Sequence, residues 1–457
     1  MKNTLLFSML SVCVVFSATR TNAQSLFEVL ARTYQTNPTL QSAQAYLRSV
    51  DERVGQAKSG WRPTITLDGN ATHLEQKFKN YPGTADFDYD NNQYDASVNL
   101  VQPVFSGFKT VSAVDYAKLS VLAVREQTRQ TEQQVLLSAA VAGLDVIQAK
   151  ALLELQKNQE QVLNRHYKSY QKRLKVGELT KTDVAQSEAR LKGAVAARIN
   201  AEGVLETSIA TYESVVGEKP QNEITVDDLK SLMPKSLEET LSYVKQNNPS
   251  LKAAEYAIEA AGKNVSLQKG DIMPSVNVIA GAGYQWAQPL PQIDDHYDGR
   301  YWRVGANLSM PLYQGGGEYA RIREAKELEN QARIDYTRTL RELTKQATQA
   351  WETYQTTKAS IESIKAQIKA SKMALDGVIR EADVGSRTVL DVLDAEQEYL
   401  NYRVNLVSAE RNMTVAAFNL LATMGTMTAQ SLNLKVDVYS YEEHFNNVNG
   451  KLIGTGI

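Results

Sequence analysis

Residues 340–382 read LRELTKQATQAWETYQTTKASIESIKAQIKASKMALDGVIREA. Steps of three and four residues through this stretch meet small or apolar side chains at nearly every position. No proline interrupts the pattern, so we predict one long helix that packs in a seam with other helices. Glycines at 315–317 and at 385 bound this helix, which then holds about 67 residues and is roughly 100 Å long. A helix of that length does not fit in a globular core.

The same pattern occurs 208 residues earlier, between about Gly107 and Lys175. Other landmarks also recur, because Asn37-Pro38 is matched by Asn248-Pro249 further along the chain. Agreement at so many positions indicates an internal duplication. We therefore predict two copies of one plan, each with a short helix, two strands, a long helix and a return helix.

The landmarks divide the chain into five segments. We predict a signal peptide (1–23), a first repeat (24–217), a connector (218–247), a second repeat (248–425) and a C-terminal segment (426–457). The first repeat is predicted to contain strands at about 62–74 and 94–104, a long helix at about 107–175 and a return helix at about 181–216. The corresponding elements of the second repeat are predicted at about 274–287, 300–312, 317–383 and 388–424.

The N-terminus has the features of a secretory signal peptide. An apolar run from Leu5 to Phe16 precedes Thr21-Asn22-Ala23, which has small residues where signal peptidase requires them. The run is too short for a membrane anchor, and the residues before Cys13 match a lipoprotein cleavage site only faintly. Cys13 is the only cysteine, so the mature chain from Gln24 has no thiol for disulfides, thiolate metal sites or nucleophilic catalysis.

Composition and motifs argue against an enzyme and against a nucleic-acid partner. The formal net charge is only -2. The triplet 315–317 lacks the Lys and Ser/Thr of a phosphate-binding loop, and 281–283 lacks the third glycine of a dinucleotide fingerprint. The four histidines have no metal-ligand spacing, and we interpret them as incidental surface residues: His73, His166, His296 and His444. No cofactor or metal is predicted.

Each repeat contains two alternating segments with one apolar and one polar face, which suits strands that cross a bilayer. Aromatic residues cluster near the ends of these segments and resemble interfacial belts. The residues concerned are Tyr81, Tyr89, Tyr94, Tyr284, Trp286, Tyr297, Tyr301 and Trp302. Four strands cannot close a barrel, and an open edge in hydrocarbon leaves backbone groups without hydrogen bonds. Closure would therefore need further copies of the chain. A soluble sheet packed on helices is the alternative.

The long helices also need neighbours. Alanine-rich seams at Ala139, Ala142, Ala347 and Ala350 permit close packing, and the charged remainder indicates that the helices stand in water. A ring of helices satisfies both features, and a dimeric coiled coil is the alternative.

Several motifs resemble those of the TolC family of outer-membrane efflux channels, and the resemblance covers nearly the whole mature chain. They are the duplicated Asn-Pro helix starts, the Pro-x-x-x-Gly entries to both long helices, Val176-Gly177 with 182–184, and the stretch VGSRTVLDVLDA at 384–395. The last stretch is highly specific.

The resemblance implies a mainly α protein with a membrane β-barrel part. It implies a homotrimer whose 12-stranded barrel in outer-membrane lipid continues into a periplasmic helical tunnel with a mixed equatorial belt. The connector and the C-terminal segment would supply that belt. Further expected partners are a periplasmic adaptor and an inner-membrane pump of the RND, ABC or MFS type. The expected function is a passive exit duct, gated at its periplasmic end, for drugs, toxic compounds and type I protein secretion in a Gram-negative envelope.

The resemblance also assigns roles to single residues. Asp391 and Asp394 match the aspartates that ring the periplasmic entrance, where six carboxylates in a trimer would attract cations. Arg387, Thr182 and Asp183 match the links that hold the entrance shut. Asp391 and Asp183 equally fit capping boxes at the starts of the return helices.

The tips of the two helical hairpins would meet the adaptor, and they contain Val176, Gly177, Val384 and Gly385. Both glycines also suit the left-handed turn that ends a helix. Ala382 stands where a member of that family has a linking tyrosine, so the closed state is expected to rest on fewer bonds.

Two other protein classes share single features with the chain. A periplasmic adaptor also has a helical hairpin, but it needs one hairpin flanked by lipoyl-like and barrel modules. A self-contained porin needs at least eight strands in each chain and has no long helices.

Overall fold

The protein is described here from a computed structural model, which covers residues 24–79, 87–221, 223–287 and 297–456. The predicted signal peptide (1–23), Tyr81 and His296 lie outside the described residues.

The chain is mostly helical, and its two halves repeat the same order of elements. The first half contains β1 (Gln24–Ser25), α1 (Leu26–Thr36), α2 (Pro38–Lys58), β2 (Thr64–Phe78), β3 (Phe87–Ser106), α3 (Lys109–Lys175) and α4 (Lys181–Val216). The second half contains β4 (Ile224–Thr225), α5 (Leu237–Asn247), α6 (Pro249–Lys269), β5 (Ser275–Ala287), β6 (Tyr297–Ser309), α7 (Gly317–Asp383), α8 (Val389–Met424) and α9 (Glu443–Val448). Helices α3 and α7 each have 67 residues and are 208 positions apart at both ends.

The duplicated Asn-Pro pairs start equivalent helices. The Asn37 side chain accepts hydrogen bonds from the backbone N–H groups of Thr39 at 2.9 Å and Leu40 at 3.4 Å. Asn248 caps α6 in the same way, with Pro249 at the first helical position. An Asn cap satisfies N–H groups that have no partner within the helix, and proline loses nothing at that position. The local chemistry of both motifs therefore fixes where these helices begin.

The four long strands form one antiparallel sheet in the order β2-β3-β5-β6. Successive side chains of a strand point to opposite faces, so paired residues across the sheet share a face. One row contains Leu67, Val98, Ala282 and Trp302, and the adjacent row on the other face contains Thr66, Asn99, Gly281 and Arg303. The sheet therefore has one mainly apolar face and one polar face, and β2 and β6 are its edges.

No part of the chain that the structure describes covers the apolar face. Leu67 is 78% exposed, Trp302 80% and Val304 69%. The rings of Tyr94 and Trp286 lie on the same face with centroids 5.4 Å apart. An exposed apolar surface of this extent marks contact with a membrane or another protein.

Contact clustering divides the chain into two compact units. One unit contains the chain up to Thr33, Ser138–Ser231 and Ser360–Val415. It includes the parallel pair of β1 with β4 and the turns at the ends of α3 and α7. The other unit contains Tyr34–Leu137, Leu232–Ala359 and Ala416–Ile457, and it includes the sheet.

The C-terminal segment packs within the second unit. Tyr439, Tyr441 and Phe445 contact a buried apolar cluster formed by α2 and α3. Glu132 of α3 is 3% exposed and accepts hydrogen bonds from the Ala429 N–H at 2.8 Å and the Tyr441 hydroxyl at 2.9 Å. The buried carboxylate thus ties the segment to α3.

The expectation that all histidines are incidental surface residues is wrong for His444. Its Nδ1 lies 3.0 Å from Oδ2 of Asp51, a side chain that is only 1% exposed. Burial raises the pKa of Asp51, and the hydrogen bond from His444 opposes that rise. His444 therefore has a structural role, because a buried carboxylate such as that of Asp51 is costly without a hydrogen-bonding partner.

Candidate functional site

The functional site predicted from the sequence lies at the two helix-to-helix turns of the first unit. Gly177 and Gly385 have φ values of 80° and 81°, in the left-handed region that favours glycine. The Gly177 N–H donates to Leu174 O at 3.1 Å, and the Glu178 N–H donates to Arg173 O at 2.9 Å. The second turn has equivalent bonds at residues 385 and 386. Both long helices therefore end in the same Schellman motif.

Both return helices begin with a capping box. The Asp183 carboxylate accepts hydrogen bonds from the Thr180 N–H at 2.9 Å and hydroxyl at 2.7 Å, and the Asp183 N–H donates to the Thr180 hydroxyl at 3.2 Å. Thr388 and Asp391 repeat these bonds at 2.9, 2.8 and 3.2 Å. Each carboxylate thus satisfies the start of its own helix.

The two aspartates assigned to the entrance have different surroundings. Hydrogen bonds from the Thr388 N–H and hydroxyl lower the pKa of Asp391, so this carboxylate stays ionised. Asp394 lies one turn later on α8, and its Oδ1 accepts a hydrogen bond of 2.5 Å from Nη2 of Arg190 on α4. Both side chains of this ion pair remain partly exposed, at 57% and 40%. The pair links the two hairpins of one chain.

The residues assigned to the gate contact their own turns. Nε of Arg387 lies 2.9 Å from Oε2 of Glu381 at the end of α7, and this bond raises the pKa of the arginine. Asp183 takes part in the capping box, and Thr182 is exposed. The bond to Glu381 uses Nε alone, so the other guanidinium N–H groups of Arg387 can contact a further helix while that bond is kept.

The tips themselves present apolar side chains to solvent. Val176 is 71% exposed and Val384 is 81% exposed. Each precedes the glycine that reverses the chain. Each hairpin turn thus exposes a valine at an equivalent position, and an exposed apolar side chain suits contact with another protein.

An apolar cluster holds the hairpins together behind the tips. It contains Leu163 and Tyr170 from α3, Ala194 from α4, and Val389 and Leu393 from α8. Leu393 is 1% exposed and lies next to Asp394 in the sequence. Burial of one leucine side chain contributes about 1.5–3 kcal/mol, more than an exposed ion pair. The apolar cluster therefore contributes most of the free energy that holds the two hairpins together, and the ion pair between Arg190 and Asp394 makes a smaller contribution.

His166 is a second correction to the interpretation of the histidines. Its ring stacks on Tyr170 with centroids 5.7 Å apart, and its Nε2 lies 3.5 Å from Oε1 of Glu396. Burial raises the pKa of the Tyr170 hydroxyl. His166 therefore takes part in packing between α3 and α8.

Arg190 is the site residue that the sequence analysis missed. It lies seven residues after Asp183 and so occupies the same heptad position on α4 as the capping acid. That spacing places Arg190 on the same side of its own helix as Asp183. The spacing does not reveal which residue of a different hairpin it faces.

Comparisons with known proteins identify the family of the chain and agree with its fold. A family model described as outer membrane efflux protein matches residues 29–218 and 240–426. The outer membrane efflux protein BepC of Brucella suis biovar 1 (strain 1330) is 34% identical over 437 residues, which cover 94% of this chain and 92% of that protein. The outer membrane protein TolC of Vibrio cholerae serotype O1 (strain ATCC 39315 / El Tor Inaba N16961) is 24% identical over 417 residues. That alignment covers 90% of this chain and 92% of TolC.

A solved structure has the same fold. The outer membrane protein VceC from Vibrio cholerae superposes with a TM-score of 0.76 at 21% identity. The match covers 88% of this chain and 96% of VceC. At this level of identity the likeness supports the fold alone.

Proposed function

Since this chain belongs to the outer membrane efflux protein family, we propose that three copies of it build one continuous exit duct across the outer membrane and the periplasm. Members of this family are channel proteins of efflux and type I secretion systems, and the chain is an outer-membrane channel protein of this class with a periplasmic helical part. Energy for export would come from partner proteins.

The open sheet is the observation that carries the trimer proposal. Four strands in the order β2-β3-β5-β6 leave two edges, whose unpaired backbone groups each cost several kcal/mol in hydrocarbon. If β6 of one copy pairs with β2 of the next, three copies give 12 strands and no edge. The exposed apolar face of Leu67, Trp302 and Val304 would then contact lipid, and the polar face would line the lumen.

The hairpin turns form the periplasmic end in this proposal. Three copies of Asp391 and Asp394 would ring the entrance and attract cations. Arg387, Thr182 and Asp183 would contact neighbouring helices when the entrance closes.

The tips at Val176-Gly177 and Val384-Gly385 would contact a periplasmic adaptor. That adaptor would connect the duct to an inner-membrane pump of the RND, ABC or MFS type. The connector (218–247) and the C-terminal segment (426–457) would form an equatorial belt.

Two neighbouring substitutions test which face of the sheet meets lipid. Val304→Arg adds a charge to the apolar face, and Gly305→Arg adds the same charge to the polar face. A cation on the lipid side costs about 2–4 kcal/mol at the bilayer midplane, and each assembly would contain three. A Cβ at Gly305 contacts only Ile279, at 3.7 Å, so the control has room.

The readouts are outer-membrane fractionation and single-channel recording in planar bilayers. We expect Gly305→Arg to reach the outer membrane and conduct, whereas Val304→Arg is lost from it. Equal tolerance of both variants would contradict the assignment of the apolar face to lipid. Recovery of the wild-type protein with the inner membrane would favour an adaptor instead.

A further inference from the structure

A hydrogen-bonded network runs over the polar face of the sheet. Nη2 of Arg303 on β6 donates to Oδ1 of Asn99 on β3 at 3.1 Å. Nδ2 of Asn99 donates to Oδ2 of Asp68 on β2 at 2.9 Å and to the Ser97 hydroxyl at 3.1 Å. The arginine therefore reaches across β5 to contact the second strand beyond its own.

Two glycines of β5 leave room for side chains of β6, and one of them, Gly281, lies beneath Arg303. A Cβ at Gly281 would lie 2.8 Å from Oδ1 of Asn99 and 3.3 Å from Nε of Arg303. A Cβ at Gly283 would lie 2.8 Å from the ring of Tyr301. The glycines at 281 and 283, which lack the third glycine of a dinucleotide fingerprint, thus have a structural role in the sheet. They leave space for Arg303 and Tyr301 to lie flat over the strand.

Arg303 differs in the sign of its charge from the other charged residues on this face. Within the described parts of the four strands, the polar face carries the carboxylates Asp68 and Asp95, and Arg303 is its one cation. One of the five guanidinium N–H groups donates to Asn99, so others remain available to a passing anion. The network fixes this cation on the sheet surface.

We propose that Arg303, in three copies around the lumen, is the residue that admits anions to the outer-membrane passage and so weakens the cation preference that its carboxylates give it. This inference rests on the proposed trimeric channel, in which the polar face lines the lumen. Asp68 and Asp95 outnumber the arginine and favour cations there. Arg303 then supplies the contact that lets chloride and carboxylate or phosphate groups of cargo pass the carboxylates.

The test is the reversal potential of purified channels in planar bilayers under a KCl gradient at low ionic strength, where screening is weak. Three charges near one Debye length from the axis alter the permeability ratio of K⁺ to Cl⁻ by about twofold. We expect Arg303→Gln to raise that ratio about twofold and Arg303→Lys to preserve it. Arg300→Gln is the matched control, because Arg300 pairs with Tyr284 on the opposite face and would point away from the lumen.

Arg303→Met keeps the proposal testable if Arg303→Gln fails to assemble. It keeps a long side chain over Gly281 and removes the charge, so the ratio of K⁺ to Cl⁻ permeability should rise as it does in Arg303→Gln. A channel of either variant with the wild-type ratio would overturn the proposal, as would an equal shift in Arg300→Gln. Absence of channels in the wild-type protein would instead refute the proposed function.

Discussion

Replacing Arg190 with glutamine should favour the open state of the periplasmic entrance. The substitution removes the 2.5 Å ion pair with Asp394, which links α4 to α8. Because both side chains are about half exposed, the pair contributes about 0.5 kcal/mol in each chain. If the three pairs of a trimer break together on opening, their loss shifts the equilibrium by about 1.5 kcal/mol, or about tenfold.

The apolar cluster sets an upper limit on this effect. Leu393 stays buried against Leu163 and Tyr170 in the variant, so the hairpins remain associated. We therefore expect intact assembly and more frequent opening, whereas Leu393→Ala should cost about 2–5 kcal/mol and disrupt the closed structure.

Single-channel open probability in planar bilayers measures the equilibrium directly. A double-mutant cycle with Asp394→Asn separates the coupling of the pair from the separate role of Asp394 at the entrance. Lys157→Gln is a suitable control, because its ion pair with Glu154 lies within one helix and links no hairpins. An open probability for Arg190→Gln equal to that of the wild type, or a coupling energy of zero, would show that the ion pair does not stabilise the closed entrance.

Three further predictions concern single interactions. Asp391→Asn combined with Asp394→Asn should leave assembly intact but weaken the block of single-channel current by multivalent cations, and unchanged block would remove both residues from the entrance. Thr388→Ala should destabilise the start of α8 by about 1 kcal/mol through loss of the capping box, seen as faster amide hydrogen exchange in its first turn. Burial raises the pKa of Glu132 above its ordinary value of 4.5, so the stability that this group contributes is present below that pH and is lost as the pH rises through the folded-state pKa. Glu132→Gln should therefore flatten the pH dependence of thermal unfolding on the acidic side, and an unaltered profile would contradict the assignment.

The helices could be predicted from the sequence because the residues that start, continue and end a helix lie close together in the chain. Helix α7 begins at Gly317 and ends at Asp383, as its heptad pattern and the flanking glycines predict. Each signal depends on residues within a few positions of one another, and the duplication repeats each signal.

Strand boundaries were less accessible. The structure starts β3 at Phe87, whereas the alternating pattern starts at about 94. The intervening residues include Asp88, Asp90 and Asn91, which lack an apolar face. The pairing continues because the backbone ladder with β2 extends to Phe78, and a ladder requires no particular side chain.

The site was predicted where its contacts are local and missed where they join distant parts of the chain. The capping bond of Asp391 spans three residues, so it was visible as a motif. The contact of Asp394 with Arg190 spans 204 residues, and that of His444 with Asp51 spans 393. Charged residues are common on helices, and a sequence does not identify which two of them face each other across different helices.

Whether three chains build one channel can be measured as the mass of the detergent-solubilised protein, corrected for bound detergent, in a preparation whose channels conduct in planar bilayers. We expect a particle of three chains, in which four strands from each chain pair edge to edge. A stable monomer that dissolves in water without detergent would contradict it, because the exposed apolar face and the two strand edges would then need no partner.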